Sequence, residues 1–468
     1  MMSNRLPKPI RKQREVLYLP ETGHSAILGT AGSGKTTLAL YRAAYLSSED
    51  MPHYGPTLLL TFNRALVVYL KHLKHTELRN VTIENYHKFA RGYLHSRGKM
   101  EPNSICDPNL RHSLIETALN KVRQSHPKPT FLARPISFFL DEIQWILSHG
   151  IETEDEYKKV KRVGRMGTKL QRNLRGVMFE ILTEYLKLRS QRGKLYDWDD
   201  IAYYVHQEYL QDNRQRRYRH IIIDEGQDFS PEMIRSLVSA IPDDGSLTFF
   251  GDVAQQIYGQ RTSWRSANLS IPQVWEFKEN YRNTQQIAQL GLAISKMPYF
   301  QGIADIVEPT FPKPAGSLPT LVECHSKETQ INIAISRAKD YSGTMKSVAI
   351  LFKNRQQEKL ISPSLPDNSK RLHRDMRIWD DGPGIYYGTY HSSKGLEFDM
   401  VILPFLEDNK LPDSEFILSH GEDEALTHFG RLIYVAVTRA KTEVLLLYTG
   451  SVTPLLPTTS SLYRMLQS

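Results

Sequence analysis

The chain has 468 residues, 40% of them hydrophobic and 24% charged, the balance of a globular protein with room for about two to four domains. Its formal net charge of +9 favours a polyanionic partner, while two widely separated cysteines, Cys106 and Cys324, exclude a disulfide framework and any cysteine-built zinc or iron–sulfur site. The N-terminus carries no apolar signal core and no apolar run reaches bilayer length, so a cytoplasmic protein without a membrane partner is expected.

In chain order, the first strong signal is "AILGTAGSGKTT". A short apolar strand leads into Gly29, Thr30, Ala31, Gly32, Ser33, Gly34, Lys35, Thr36 and Thr37, the pattern of a phosphate-binding loop. A helical period follows at once, so the loop sits between strand and helix. Glycines let backbone N–H groups approach phosphates, and the helix N-terminus adds partial positive charge. Lys35 is placed to reach the outer phosphates of ATP, and Thr36 to hold Mg²⁺. The segment from 91 to 214 is mostly helical in period, as in "LRHSLIETALNKV" and "VMFEILTEYLKLR". Within it, Lys158 to Arg175 holds eight basic residues and no acid, which favours contact with duplex or phosphate over a merely solvated helix face. Asp197, Asp199 and Asp200 in "YDWDDIAYYV" read as charges at a helix N-terminus.

"RHIIIDEGQDF" then ends a doubly buried strand on adjacent carboxylates, Asp224 and Glu225. Unpaired buried charge is expensive, so a cation is expected beside them. Strand ends are where open α/β sheets place ligand chemistry. Asp224 is therefore assigned to Mg²⁺, and Glu225 to orienting and deprotonating an attacking water. Aromatic side chains near several segment ends, Phe62, Tyr258 and Trp264 among them, suit stacking on the bases of a single strand. His87 in "NYHKFARGYL" lies near such a segment end too, with a helix-capping or core histidine as the competing reading. Pro-rich "EPTFPKPAGSLP" and "SPSLPDNSKR" read as loops, and "EVLLLYTG" as a late strand.

Several of these strings, in this order, resemble the superfamily 1 helicases of the UvrD, PcrA and Rep type. "LLLTFNRAL" resembles motif Ia, "DEGQD" motif II and "FFGDVAQQIYG" motif III. "ENYRNTQQI" resembles motif IV, "GTYHSSKGLEFDMVILP" motif V and "LIYVAVTRAK" motif VI. The resemblance implies an α/β fold with two RecA-like P-loop motor domains: residues 1–90 and 215–268, then 269–468, with a helical subdomain inserted at 91–214. It further implies that Gln13 reads adenine, Gln255 senses the γ-phosphate, Tyr281 stacks on adenine and Glu397 contacts ribose. Arg282 and Arg439 would contact the γ-phosphate from the second motor domain. Phe62, Asn63, His87, Tyr258, Trp264 and His391 fall to the nucleic-acid track. Where the family often has an arginine directly after the loop's Lys-Thr, this chain has Thr37. Only 110 residues separate Tyr281 from His391, so the extra 2B subdomain of larger relatives is reduced to a remnant near 360–384, and no room is expected for an attached nuclease domain.

The resulting expectation is an ATP- and Mg²⁺-dependent translocase or helicase on single-stranded or tailed duplex DNA, with 3′-to-5′ polarity implied by the resemblance alone. A second reading is a helicase-like, ATP- and DNA-binding subunit that regulates or targets a partner nuclease in an anti-phage defence complex such as Gabija, or in repair. A P-loop kinase is disfavoured by the paired motifs IV, V and VI.

Overall fold

A computed structural model of the chain describes residues 12–30, 32–61, 67, 78, 80–126, 130–162, 165, 168–252, 264–300, 315–372, 382–409 and 411–468. Ala31, Phe62, Asn63, Gln255 and Tyr258, all assigned above to nucleotide or nucleic acid, lie outside the described residues.

Two parallel sheets organise the chain. The first contains β1 (Gly23–Gly29), β2 (Thr57–Thr61), β3 (Val81–Asn85), β4 (His220–Ile223), β5 (Ser246–Asp252) and β6 (Val274–Phe277), in the order β3-β2-β4-β5-β1-β6. Every residue of β2, β4 and β5 is buried, because helices cover both faces and the strands can be apolar throughout. β6 pairs in parallel with β1, so this sheet runs past the boundary expected at 268. The second sheet contains β7 (Thr320–Glu323), β8 (Ser347–Phe352), β9 (Lys370–Arg371), β10 (Gly384–Thr389), β11 (Phe398–Leu403), β12 (Ala440–Tyr448) and β13 (Arg464–Gln467), in the order β13-β7-β12-β11-β8-β10-β9. "EVLLLYTG" lies in β12 as expected. It is followed by β13, an edge strand whose polar Arg464 and Gln467 hide it from a hydrophobicity reading.

The helices are α1 (Lys12–Leu17), α2 (Lys35–Leu46), α3 (Tyr86–Ser96), α4 (Pro108–Ser125), α5 (Ile136–Ser148), α6 (Glu154–Lys159), α7 (Arg175–Gln191), α8 (Ile201–Gln211), α9 (Pro231–Val238), α10 (Gln285–Ser295), α11 (Lys327–Ser342), α12 (Arg355–Ile361), α13 (Ser414–His420) and α14 (Glu422–Val437). Sequence sets their starts. Asp107 accepts from the Asn109 and Leu110 amides ahead of α4, and Thr153 with Glu156 forms a capping box at α6. α4 to α7 enclose their own core, with Ile115, Leu119, Phe138, Ile143, Met178 and Ile181 inside. α3 and α8 instead share the core of the first sheet, where Tyr86, Leu94, Ile201 and Val205 meet Ile221 and Ile223. The self-contained helical insertion is therefore narrower than 91–214. No helix among the described residues is long and apolar enough to cross a membrane.

Two sequence expectations are corrected inside the insertion. Asp200 stands at the N-terminus of α8 as expected, but it and Asp197 are also buried and paired inside the protein. Asp197 accepts from Arg111 Nε at 2.8 Å and Tyr185 Oη at 2.6 Å, and Asp200 pairs with Arg189. The basic run is not a uniform surface either. Arg162 and Arg165 turn inward onto the fully buried Glu142, and Arg175 donates to the carbonyls of Tyr157 and Val160. Lys158 pairs with Glu154, leaving Lys159, Lys161, Lys169 and Arg172 as its exposed cations.

Candidate functional site

The site forms where the C-terminal ends of β1, β4 and β5 lie side by side. Register places Gly29 opposite Asp252 and Ile223 opposite Phe249, so loop, paired carboxylates and Asp252 share one edge. Past β1 the backbone turns through positive φ at Gly32 (79°) and Gly34 (85°), a conformation that favours glycine. At Gly32 the space is also closed. A Cβ there would stand 2.4 Å from Asn280 Oδ1 and 2.7 Å from Arg282 Cβ, so residues of motif IV seat directly on the loop. The Tyr281 amide donates to the Gly32 carbonyl at 2.9 Å. From the other side, Gln13 Nε2 donates to the Ser33 carbonyl at 3.1 Å.

Lys35 is buried, its Nζ donating to the carbonyls of Gly29 (3.0 Å) and Thr30 (2.8 Å), with Asp252 at 3.8 Å. Among the described residues the buried hydroxyls of Thr30 and Ser33 have no hydrogen-bond partner, as suits a loop whose acceptor is a phosphate. Thr36 Oγ1 donates to Asp224 Oδ2 at 2.9 Å. The other carboxylate oxygen, Asp224 Oδ1, is buried and has no partner among the described residues. A hard oxygen with an unmet need, next to a threonine hydroxyl at a phosphate loop, fits Mg²⁺, which takes its remaining ligands from phosphate and water. Burial, and then the neighbouring Glu225 charge, push the Asp224 carboxyl up from its ordinary range.

Glu225 follows in the left-handed region, φ 53° and ψ 42°, an uncommon place for a residue with a Cβ. Gln227 fixes it, donating Nε2 to Glu225 Oε2 at 2.5 Å while its Oε1 accepts the Asp252 amide at 3.0 Å. Burial alone would raise the Glu225 pKa. The charges of Arg439, Lys35 and Lys394 outweigh it and keep the carboxylate ionised.

Arg439 and Lys394 come from the second sheet. Arg439 is buried, its Nε donating to the Val435 carbonyl at 3.1 Å. Burial and the nearby Arg282 lower its pKa to about 10, while Glu225 and Asp252 favour its charge. Lys394 donates to Asp228, one turn beyond Glu225. Arg282 Nε meets Glu397 Oε2 at 2.9 Å, and Lys441 meets Glu397 Oε1 at 3.0 Å. Asn283 ties this segment to the second sheet through the carbonyls of Thr438 and Ala440. Nucleotide-loop, carboxylate and arginine residues foreseen from sequence thus converge on one edge.

Four residues of this edge were not singled out by sequence: Asp252, Gln227, Asn283 and Lys394. Each had a signal, since Asp252 ends an apolar strand and Lys394 lies in "HSSKG". The residues assigned to the nucleic-acid track have separate surroundings. His87 shares a hydrogen bond with the Trp198 carbonyl at 3.3 Å and meets its ring edge-on. Trp264 is half-buried, its ring edge-on to Phe249 at 5.2 Å. His391 is exposed, 6.3 Å from the His428 ring.

A phosphate loop facing strand-end carboxylates, with an arginine and a lysine offered from a second parallel sheet, defines a two-lobed P-loop protein. The chain belongs to the UvrD/REP helicase family: its N-terminal domain is matched over residues 10–281, and the UvrD-like helicase C-terminal domain over 371–451. It is similar to DNA helicase IV of Escherichia coli (strain K12), 24% identical over 90% of this chain and 66% of that protein. Similarity to DNA helicase II of the same organism is 22% over 79% of this chain and 52% of the relative. A probable DNA helicase of Mycoplasma pneumoniae is 22% identical over 92% of this chain and 82% of its own length. The match thus spans between half and two thirds of the two Escherichia coli proteins.

Proposed function

We propose that this chain hydrolyses ATP to move along single-stranded DNA, and that it acts as a helicase with 3′-to-5′ polarity. The observation that carries the reading is the joining of two lobes across one catalytic edge. Arg439 and Lys394 of the second sheet approach Glu225 and Asp228 of the first. Phosphoryl transfer needs charge neutralised on the γ-phosphate. Cations supplied by a second lobe do this only when the lobes close, which couples hydrolysis to movement. Family membership supports DNA as the track, and the polarity rests on the motif resemblance alone.

In this reading Thr36 and Asp224 hold Mg²⁺, which screens the phosphate charge when bound. Lys35 and the loop amides hold the phosphates. Glu225, kept ionised and aimed by Gln227, takes the proton of the attacking water. Gln13 and Tyr281 flank the base, and Glu397, between Arg282 and Lys441, meets the ribose. His87, Trp264 and His391 belong to the strand's path. The direct test is ATP turnover with single-stranded DNA, single-stranded RNA and duplex, followed by unwinding of duplexes with 3′ or 5′ tails. Stimulation by single-stranded DNA and preference for a 3′ tail are expected. The shortened interval between Tyr281 and His391 favours a partner, a nuclease or repair protein, at the duplex junction. Absence of any DNA-stimulated hydrolysis with Mg²⁺ present would instead favour the regulatory-subunit reading.

Changing Arg282 or Arg439 to Ala is expected to lower DNA-stimulated turnover by about 10³-fold or more, the usual effect of losing a γ-phosphate arginine, with a much smaller change in ATP affinity. Unchanged maximal turnover with weakened ATP binding would refute the coupling role. Trp264→Ala is expected to weaken single-strand binding by about 1–3 kcal/mol. If affinity holds while the melting temperature collapses, the ring belongs to the Phe249 packing alone.

A further inference from the structure

The inward turn of the basic run creates a charge problem of its own. Three arginines, Arg162, Arg165 and Arg175, are each only 7% exposed. The one fully buried carboxylate among them is Glu142, which binds Arg162 through two nitrogens and Arg165 through Nε. Arg175 donates to the backbone carbonyls of Tyr157, Lys158 and Val160 and lies over the Tyr157 ring, with no carboxylate paired to it among the described residues. Glu424 of α14 approaches Arg165 and Arg162 and is half-buried. Positive charge still exceeds negative charge in a region largely closed to water, and uncompensated buried charge is expensive. Two donors are unmet among the described residues: Arg165 Nη2 and Arg175 Nε are buried without an acceptor.

Both guanidinium groups line one cavity of about 500 Å³, within the roughly 300–1,000 Å³ typical of ligand clefts. Its cationic lining is Lys161, Arg162, Arg165, Lys169, Arg172 and Arg175, and no Asp or Glu lines it among the described residues. The inner wall is rigid, since Glu142 and the Tyr157 carbonyl hold the arginines in place. The rim is adaptable, because Lys161, Lys169 and Arg172 are exposed. Lys169 also lines the adjoining cleft of about 400 Å³ against Ser419 to Asp423 of the second lobe. There Thr168 Oγ1 donates to the His420 carbonyl at 3.1 Å. The cavity therefore lies where the helical insertion meets the second lobe.

We infer that this cavity is an anion site that takes a phosphate group, with fixed guanidinium donors inside and mobile cations at the mouth. Guanidinium forks match phosphate oxygens in geometry, and an anion in the cavity would offset the excess of positive charge along its lining. The phosphate comes from a nucleic-acid backbone or from a free phosphate species. The first source rests on the DNA reading above, and the second does not.

The test leaves the inner arginines intact, since they hold the insertion together. In the full chain, Lys161, Lys169 and Arg172 are changed to Gln. A control carries the same charge change at Lys327, Lys339 and Lys359, exposed positions of the second lobe. In the first arm, affinity for a single strand and for a tailed duplex is measured across a salt series. A backbone source predicts about a tenfold loss of affinity for the rim variant and a shallower salt slope, with little change in the control. In the second arm, the melting temperature is measured in inorganic phosphate against chloride at equal ionic strength. A free-phosphate source predicts a rise in the wild type and the control that the rim variant loses. Equal losses in rim and control variants, or no rim-specific effect in either arm, overturns the site. If no protein binds DNA but the phosphate arm responds, the DNA reading fails and the anion site stands.

Discussion

Lys35→Ala is expected to abolish ATP turnover, and Glu225→Gln to leave ATP bound while slowing hydrolysis by about 10²-fold or more. The two changes separate binding from chemistry. Lys35 is the buried cation of the loop, within reach of the Gly29 and Thr30 carbonyls and of Asp252. Removing it takes away the charge that phosphates need and one of the cations near Asp252. Glu225→Gln is nearly isosteric, so the left-handed turn and the Gln227 contact can survive while the proton acceptor is lost. Nucleotide binding and single-turnover hydrolysis, measured on both variants, report the difference. Wild-type turnover in Glu225→Gln would show that another group accepts the proton. Failure of Glu225→Gln to bind ATP would show that the carboxylate mainly organises the loop.

Residues whose partners are local or whose strings are long were legible in the sequence. The loop from Gly29 to Thr37 announces itself because each position answers one need of a phosphate. The strand before Asp224 announces itself because three isoleucines in a row have no business at a surface. Partnership across distance was not legible. Arg162 and Arg165 look like surface charge, because their acceptor, Glu142, lies on α5, 20 and 23 residues earlier. A signal did exist: Glu142 is a lone carboxylate on the buried side of "ISFFLDEIQWILS", and such a group demands a buried cation. The helix start at Asp200 was legible, but the burial and pairing of Asp197 and Asp200 were not, for the same reason, their partners Arg111, Tyr185 and Arg189 lying elsewhere in the insertion. β13 escaped because an edge strand half open to solvent loses the apolar signature of the interior. Contacts between lobes, such as His420 with Asp141 at 2.5 Å and Ser137 with Ser419 at 2.8 Å, follow from the fold alone.

Glu142→Gln is expected to destabilise the helical insertion by roughly 3–5 kcal/mol at neutral pH, the usual result of removing one partner from a buried ion pair. Glu142 is completely buried and accepts from Tyr157 Oη at 2.5 Å, Arg162 Nε at 2.6 Å and Arg165 Nε at 2.6 Å. Burial would raise its pKa, but Arg165, Arg162 and the Tyr157 hydrogen bond hold it at about 2, against an ordinary value of 4.5. A folded-state pKa below the unfolded one means that the stabilisation is complete above about pH 4.5 and is lost as pH falls towards 2. At a little over 1 kcal/mol per pKa unit, that is roughly 3 kcal/mol, in line with the mutational figure. A glutamine keeps the shape but leaves two guanidinium charges facing a neutral amide, and it does not titrate. The gap in stability between wild type and variant should therefore be widest near pH 7 and close as the medium is acidified below 4.5. Amide hydrogen exchange along α5 and α7 reads the insertion alone, without assuming that the whole chain unfolds in one step. A pH-independent gap would place the cost in packing rather than charge. No gap at neutral pH would mean that Glu424 or another anion already compensates the arginines.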